Sequence, residues 1–378
     1  MRIVMSNGMG AESAAILFRW IHEPASRNFD LKDLTVITAM TGDEFSDTGK
    51  LMETHLLPLF RKHGIRFVQV ARAGHFQEAG IKLLDDSRNT STLHLKGAYR
   101  LSDELREAAT IPTSGGIRKC SLKFKGWVID SFLKKELQGE AFRHIMGFNL
   151  NETRRVEKDR KGGEMSEVEN RHGEYPLVEW KWDRETSLAY IKSVTGVEWK
   201  KSCCTFCPFA APKKAEGWHL ENRYRENPEA AAMALGLEHQ ALAFNPEMKL
   251  YATRTLAETL EKHGITAPAA IFQKGLETAE FALYRVRRVF SGPAQARRAI
   301  EKLETGSRAS MHGKLVAYAA QNGLELSNEA GIERVYVSRR VADVYPSFEE
   351  MLVVAPAVTE TKINKGFEKA MTQMAVEV

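Results

Sequence analysis

The sequence predicts an α/β protein: an open, mostly parallel twisted sheet with helices on both faces, followed by a mainly α-helical C-terminal extension. Three observations predict it. Apolar strands and helical segments alternate through the first half, the rhythm of βαβ units whose crossovers lay helices over a parallel sheet. A glycine-bearing loop, Ser6-Asn7-Gly8-Met9-Gly10-Ala11-Glu12-Ser13, joins a short apolar strand (Arg2-Ile3-Val4-Met5) to the apolar segment that starts at Ala14. From about Asn227 the composition shifts to Ala- and Leu-rich segments of helical character.

Beyond the loop, residues 34–39 read as a buried strand, and a helix over about 48–62 ends at Gly64 before the strand 65–70. Residues 85–116 are polar and rich in Ser, Thr, Asn and Gly. They are too long for a simple connector and predict a partly ordered substrate loop. A helix around 125–137 precedes the strand 143–148. In the C-terminal part, helices are expected at 228–240, 251–262, 276–289, 294–303 and 310–322, with strand-like 335–337 and 351–354. The domains are therefore placed at 1–226 and 227–378.

With 378 residues, 43% of them hydrophobic, the chain is long enough for two or three folded domains. No apolar run approaches the roughly 20 residues that span a bilayer, and no signal-peptide pattern precedes the first strand, so a cytoplasmic protein without a membrane partner is expected. Four cysteines argue for metal or redox chemistry rather than a disulfide framework. A net charge of +5 is compatible with a nucleic-acid partner and does not require one.

A strand, a glycine loop and a helix N-terminus form an anion pocket, because glycines let the backbone approach a ligand and the first helical amides point at it. Ser6 and Ser13 add hydroxyls, and a phosphate is the expected guest. The loop lacks the Gly-Lys-Ser/Thr ending of a Walker motif and the third glycine of a dinucleotide fingerprint. Thr41-Gly42-Asp43-Glu44 closes the second strand over the same crevice, where Asp43 or Glu44 would meet a ribose hydroxyl or Mg2+. Ser46 or Asp47 serves equally well as a helix cap. Arg118-Lys119-Cys120, with Lys123 and Lys125 beyond, surrounds a thiol with cations that favour its thiolate. Cys203-Cys204-Thr205-Phe206-Cys207-Pro208 holds the other three cysteines. Two segments carrying every cysteine suggest a shared site of Cys120, Cys203, Cys204 and Cys207, for which thiolates favour zinc or iron–sulfur. At the end of a later strand, Gly147 to Arg155 offers Arg154 and Arg155 as clamps for phosphate or sulfonate, or as a solvated charge cluster. The run Arg285, Arg287, Arg288, Arg297, Arg298 would track a phosphate backbone or form the solvated faces of amphipathic helices.

In their order these segments resemble the PP-loop ATP pyrophosphatase superfamily, in its phosphoadenosine-phosphosulfate-reductase-like branch. Gly8-Met9-Gly10-Ala11-Glu12-Ser13 is similar to that family's Ser-Gly-Gly-x-Asp-Ser loop, with Gly8 for the first serine, Met9 for a glycine and Glu12 for the aspartate. Thr41-Gly42 resembles its Asp-Thr-Gly strand end, with Met40 in place of the aspartate. Arg118-Lys119-Cys120, Gly147 to Arg155, the segment 175–180 and Cys204-x-x-Cys207-Pro208-Phe209 follow in family order, covering about residues 1–225. The resemblance implies an adenine nucleotide-binding fold with ATP and Mg2+ on Ser6, Asn7, Gly8, Gly10, Glu12, Ser13, Thr41, Gly42, Asp43 and Gly147. It further implies charge stabilisation by Arg118, Lys123 and Arg155, sulfur chemistry at Cys120, and a 4Fe–4S cluster on the cysteines, with zinc as the alternative. A single Cys120 stands where cluster-bearing reductases have a cysteine pair, so either Cys203 completes the set or one iron stays open. The implied activity is adenylation of an acceptor with release of pyrophosphate for sulfur transfer, as in DNA phosphorothioation, with a sulfur donor such as a cysteine desulfurase as partner. A sulfonucleotide reductase and a non-catalytic nucleotide-binding subunit of a modification or defence complex are the alternatives. The former ordinarily ends in a cysteine-bearing tail, and this chain has no cysteine after Cys207.

Overall fold

The computed structural model describes all residues except 115–116, 162–167, 211–219, 294, 364 and 378. The chain forms two compact units, one of Met1–Asp103 with Ile117–Cys207, the other of Glu104–Gly116 with Pro208–Val378. The division thus falls after Cys207 rather than at 226, and the second unit also recruits residues 104–116.

The first unit is built on a six-stranded sheet of β1 (Arg2–Ser6), β2 (Leu34–Met40), β3 (Arg66–Arg72), β4 (Ile81–Ser87), β5 (Phe142–Met146) and β6 (Arg171–Glu174) in the order β4-β3-β2-β1-β5-β6. All neighbours are parallel except β4, which closes the edge antiparallel to β3. Both faces are covered, as a parallel sheet requires. On β1, Ile3 and Met5 enter one core with Ile16, Leu17 and Phe18 of the helix Ala11–His22, while Val4 enters the opposite core with Phe132 and Leu133 of the helix Trp127–Leu137. That alternation is the two-residue period of a strand. The helical stretch 46–63 ends at Gly64, whose φ of +64° supplies the left-handed cap.

The expected substrate loop at 85–116 is overturned over its described part; Gly115 and Gly116 lie outside the described residues. Its start belongs to β4, where Arg66 grips Asp86 through two bonds of 2.7 and 2.6 Å. Thr92 O and His94 N then close on the two ends of the Gln69 amide at 2.9 and 2.8 Å, and the helix Leu101–Glu107 follows. These polar residues bond to β3 and β4 at the edge of the sheet.

The second unit corrects the mainly helical expectation. It holds a five-stranded antiparallel sheet of β7 (Phe281–Gly292), β8 (Gln295–Gly306), β9 (Leu326–Glu329), β10 (Ile332–Ser338) and β11 (Ser347–Pro356) in the order β8-β7-β11-β10-β9. The segments 276–289 and 294–303, expected as helices, mostly form the β7–β8 hairpin; Ala294 lies outside the described residues. Both faces of β7 are buried, Tyr284 and Val286 in one core and Phe281 and Leu283 in another. Its apolar positions, broken by Arg285, Arg287 and Arg288, follow no clean two-residue alternation, and such a pattern does not distinguish strand from buried helix. The aromatic and β-branched content favoured the strand. The expected helices near 228–240 and 310–322 are present as Pro228–Phe244 and Arg308–Asn322, and that near 251–262 is shortened to Leu256–Lys262 by the Thr255/Glu258 capping box.

Buried Glu238 lies inside this unit and accepts the backbone N–H groups of Leu250 (2.8 Å) and Leu256 (2.6 Å). Burial nonetheless raises its pKa from 4.5 to about 7. The folded state therefore holds the proton longer than the unfolded chain. The associated stability is complete below pH 4.5 and is lost as pH rises to about 7. The expected loss is roughly 3 kcal/mol, and denaturation of wild type and Glu238→Gln at both ends of that window checks it, since only the wild type should show the slope.

Candidate functional site

The strand order reverses at β1, which sends β2 and β3 to one side and β5 and β6 to the other. The switch point between β1 and β5 is where an open α/β sheet presents its ligand crevice, at the C-terminal strand ends. The loops after β1 and β5 meet there. A Cβ on Gly147 would stand 3.2 Å from Ser13 N and 3.4 Å from Ser13 Cα, so only glycine lets the β5 loop pass this close to the helix N-terminus. Asn149 Nδ2 reaches the Glu12 carboxylate at 3.4 Å, and Arg184 pairs with it at 2.6 Å.

Within the first loop, Asn7 is the organiser. Its Oδ1 accepts from Met9 N (2.9 Å) and Ser13 Oγ (2.8 Å), while its buried Nδ2 has no partner among the described residues. Met9 takes φ +60°, and Gly10 occupies the N-cap without a side-chain cap, which leaves the first helical amides to a ligand. A Cβ on Gly8 would meet nothing within 4 Å, so the loop borders open space. An unpartnered amide, free helical N–H groups and room beside Gly8 suit a phosphate. Ser6 is engaged differently: its Oγ lies 2.8 Å from His144 Nε2. A Ser–His contact suggests a nucleophile and base, but Arg171 Nε donates to His144 Nδ1 at 2.6 Å. The imidazole proton therefore sits on Nε2, pointing at Ser6, and cannot be replaced by the serine proton.

The cysteine segment is fastened to this crevice by contacts along its length. Trp199 Nε1 donates to Met9 O (3.1 Å), Ser202 Oγ to Gly8 O (2.8 Å) and Thr205 N to Asp43 O (2.8 Å). Cys204 Sγ lies 3.2 Å from Thr41 Oγ1, and Cys204 forms a backbone bridge with Glu44. Gly42 (φ +88°) turns the chain after Thr41, whose carbonyl accepts Leu101 N (2.9 Å), and Asp43 Oδ2 accepts Ser102 N (2.8 Å). Asp43 thus caps the helix Leu101–Glu107. No family model, curated protein or solved structure matches the chain.

All four cysteines are free, with Cys203 buried and Cys120, Cys204 and Cys207 half-buried. Half-buried Lys125 gathers them electrostatically. Burial opposes its charge, but Glu44, Cys204, Cys207 and Cys203 outweigh that and raise its pKa above the ordinary lysine value. Burial, then Glu44, pushes the Cys204 thiol well above its usual range against the pull of Lys125. Burial also raises Cys120 despite Lys125 and Arg118. The expected thiolate at Cys120 is therefore corrected: desolvation outweighs the neighbouring cations. Among the described residues, no three or more His, Cys, Asp or Glu side chains stand where they could hold a metal ion.

Arg118 and Lys123 are exposed on the segment around Cys120. Arg155 pairs with Glu152 (2.5 Å) and covers the Phe148 ring at 4.2 Å. The basic run of the second unit is drawn into its fold. Arg285 pairs with Glu301 and Glu350, Arg288 with Glu349 and Asn245, and Arg298 bonds the carbonyls of Ala108 and Ala109. Arg297 reaches Gly366 O, and Arg287 lies over the Phe367 ring. Arg184, Trp199, Ser202 and His144 escaped the sequence reading; only Ser202, beside the cysteines, carried a local signal.

Proposed function

We propose that the first unit is a PP-loop ATP pyrophosphatase of the phosphoadenosine-phosphosulfate-reductase-like kind, acting in sulfur transfer. The observation that carries the reading is the joining of a phosphate-type loop to a cysteine-bearing segment through Trp199–Met9, Ser202–Gly8 and Cys204–Thr41. ATP phosphates would lie on the loop from Asn7 to Ser13. An acceptor oxygen forms a bond to the α-phosphorus as the bond to pyrophosphate breaks. A sulfur nucleophile then displaces AMP from the acceptor. Such chemistry depends on positioning and charge stabilisation, for which Arg118, Lys123 and Arg155 are the candidates. DNA phosphorothioation is the nearest analogy for the acceptor, and a cysteine desulfurase for the sulfur source. Glu12 and Asp43 would serve Mg2+ only through carboxylates already engaged by Arg184 and the Ser102 amide.

Four free thiols have the donor chemistry of an iron–sulfur or zinc site. The described positions do not assemble one, so no step is routed through it. Iron, sulfide and zinc analysis of anaerobically purified wild type and Cys204→Ser decides whether the thiols hold metal: 4Fe–4S stoichiometry in the wild type alone would support the cluster that the cysteine content suggests, and metal-free wild type would overturn it.

Pyrophosphate release from ATP tests the main reading. Gly8→Val places its side chain in the open space beside the loop, so ATP affinity should fall by about tenfold or more with an unchanged melting temperature. ATP binding without pyrophosphate release would instead leave a non-catalytic nucleotide-binding subunit. Sulfite release from a sulfonucleotide would replace the reading with a reductase.

A further inference from the structure

Where β7 begins, β11 ends and β9 turns into β10, the second unit holds a cavity of about 490 Å³, the size of pockets that take small organic molecules. Its floor is apolar: Phe281, Leu315 and Ile332 are buried, and Val354 is half-buried. Its walls come from the helix Arg308–Asn322, which places Arg308, His312 and Leu315 on one face, and from His239 of the helix Pro228–Phe244.

The one arginine and the one carboxylate on this lining are not paired with each other. The Arg308 guanidinium lies over the Phe281 ring, 5.5 Å from its centre, and has no hydrogen bond or ion pair among the described residues. The His239 ring meets Phe272 edge-on at 5.4 Å and likewise has no hydrogen bond among them. Glu333, the one carboxylate on the lining, is turned to His312 Nε2 at 2.5 Å. Burial holds His239 down to about 4, with Arg308 and Arg334 adding to the effect, so near neutrality it offers a neutral imidazole.

A purely apolar ligand would leave the Arg308 fork without an acceptor, and a bare inorganic ion would leave the apolar part of the cavity, beside half-buried Val354 and exposed Ala309, unfilled. We infer that this cavity is a binding site for a small organic anion with a planar apolar body, its carboxylate on Arg308 and its ring beside Val354 and Ala309. The lining belongs wholly to the second unit, so the inference stands apart from the ATP reading.

Calorimetric titration of the full chain tests it with three probes: naphthoate, naphthalenemethanol (the same body without charge) and inorganic phosphate (charge without the body). Naphthoate should saturate a single site at least about tenfold more tightly than either control. Arg308→Ala should bring naphthoate down to the level of the alcohol. Ala309→Trp, on the same lining, should fill the cavity and abolish binding. Both positions are exposed, so the fold should survive either change. The inference is overturned by wild type that does not saturate with naphthoate, by equal affinity for the alcohol, or by unchanged affinity in Arg308→Ala.

Discussion

Acidification from pH 6.5 towards pH 3 should cost the first unit roughly 5 kcal/mol of stability through His144 alone. The side chain is 1% exposed on β5, between β1 and β6, and burial, helped by the nearby Arg171, lowers its pKa from 6.5 to about 3. It is held neutral by a continuous chain of bonds. Arg171 Nε donates to its Nδ1, and Arg171 Nη2 pairs with Asp159 at 2.7 Å. Tyr175 donates to the same Asp159 oxygen at 2.6 Å. A second imidazole proton would face the guanidinium N–H. The sign follows from the direction of the shift. Below pH 6.5 the unfolded chain takes up a proton that the folded chain refuses, so the stability present above that pH is lost as pH falls to about 3. Urea denaturation across this window measures it. His144→Gln, which does not titrate and still offers an acceptor and a donor, should flatten that part of the slope. Equal slopes for the two proteins would show that His144 is not the acid-sensitive group.

Gly42→Ala should destabilise the first unit by about 3–4 kcal/mol and loosen the crevice. Two costs combine. At φ +88° an L residue is strained, worth about 1–2 kcal/mol. The new Cβ would also stand 2.4 Å from Arg100 Cγ and 3.1 Å from Arg100 Cα, and such overpacking adds about 1–3 kcal/mol. Arg100 has little freedom to yield. Its guanidinium is paired with Asp103 at 3.0 Å, and the next residue is tied to Thr41 through the Leu101 N to Thr41 O bond. Yielding would strain the Ser102–Asp43 cap and the Thr41–Cys204 contact as well. Thermal denaturation, read together with Cys204 alkylation, checks both parts. A stable variant with unchanged thiol reactivity would mean that the chain relaxes around the methyl group.

The two halves of the chain were legible to different degrees. The β1 loop could be read because a glycine-bearing turn between an apolar strand and an apolar helix is a local pattern, and local dihedral preferences enforce it. The Cys204–Cys207 spacing and Gly64 are local in the same sense. β7 was misread because burial on both faces blurred the alternation that marks a strand, and β8, largely exposed and polar, offered no apolar alternation of its own. The arginines of the β7–β8 hairpin could be read as a phosphate-backbone track or as solvated helix faces, and only the fold shows that Arg285 pairs with Glu301 and Glu350 and Arg288 with Glu349. His144 gave no signal in its strand, because its role comes from Arg171 on the neighbouring strand.

The sequence by itself determined the alternating α/β architecture of the first unit, the glycine loop at its first strand end and the clustering of the cysteines in two segments. Each of these depends on neighbours within a few residues. The tertiary structure decided what closes over that loop: Arg184 on Glu12, Trp199 on Met9 and Ser202 on Gly8 join residues more than 170 positions apart. It also decided that desolvation, rather than nearby cations, governs the Cys120 and Cys204 thiols. The physical reason is the same in both cases. Burial and long-range hydrogen bonding arise only when distant segments pack, and no local pattern of residue types records them.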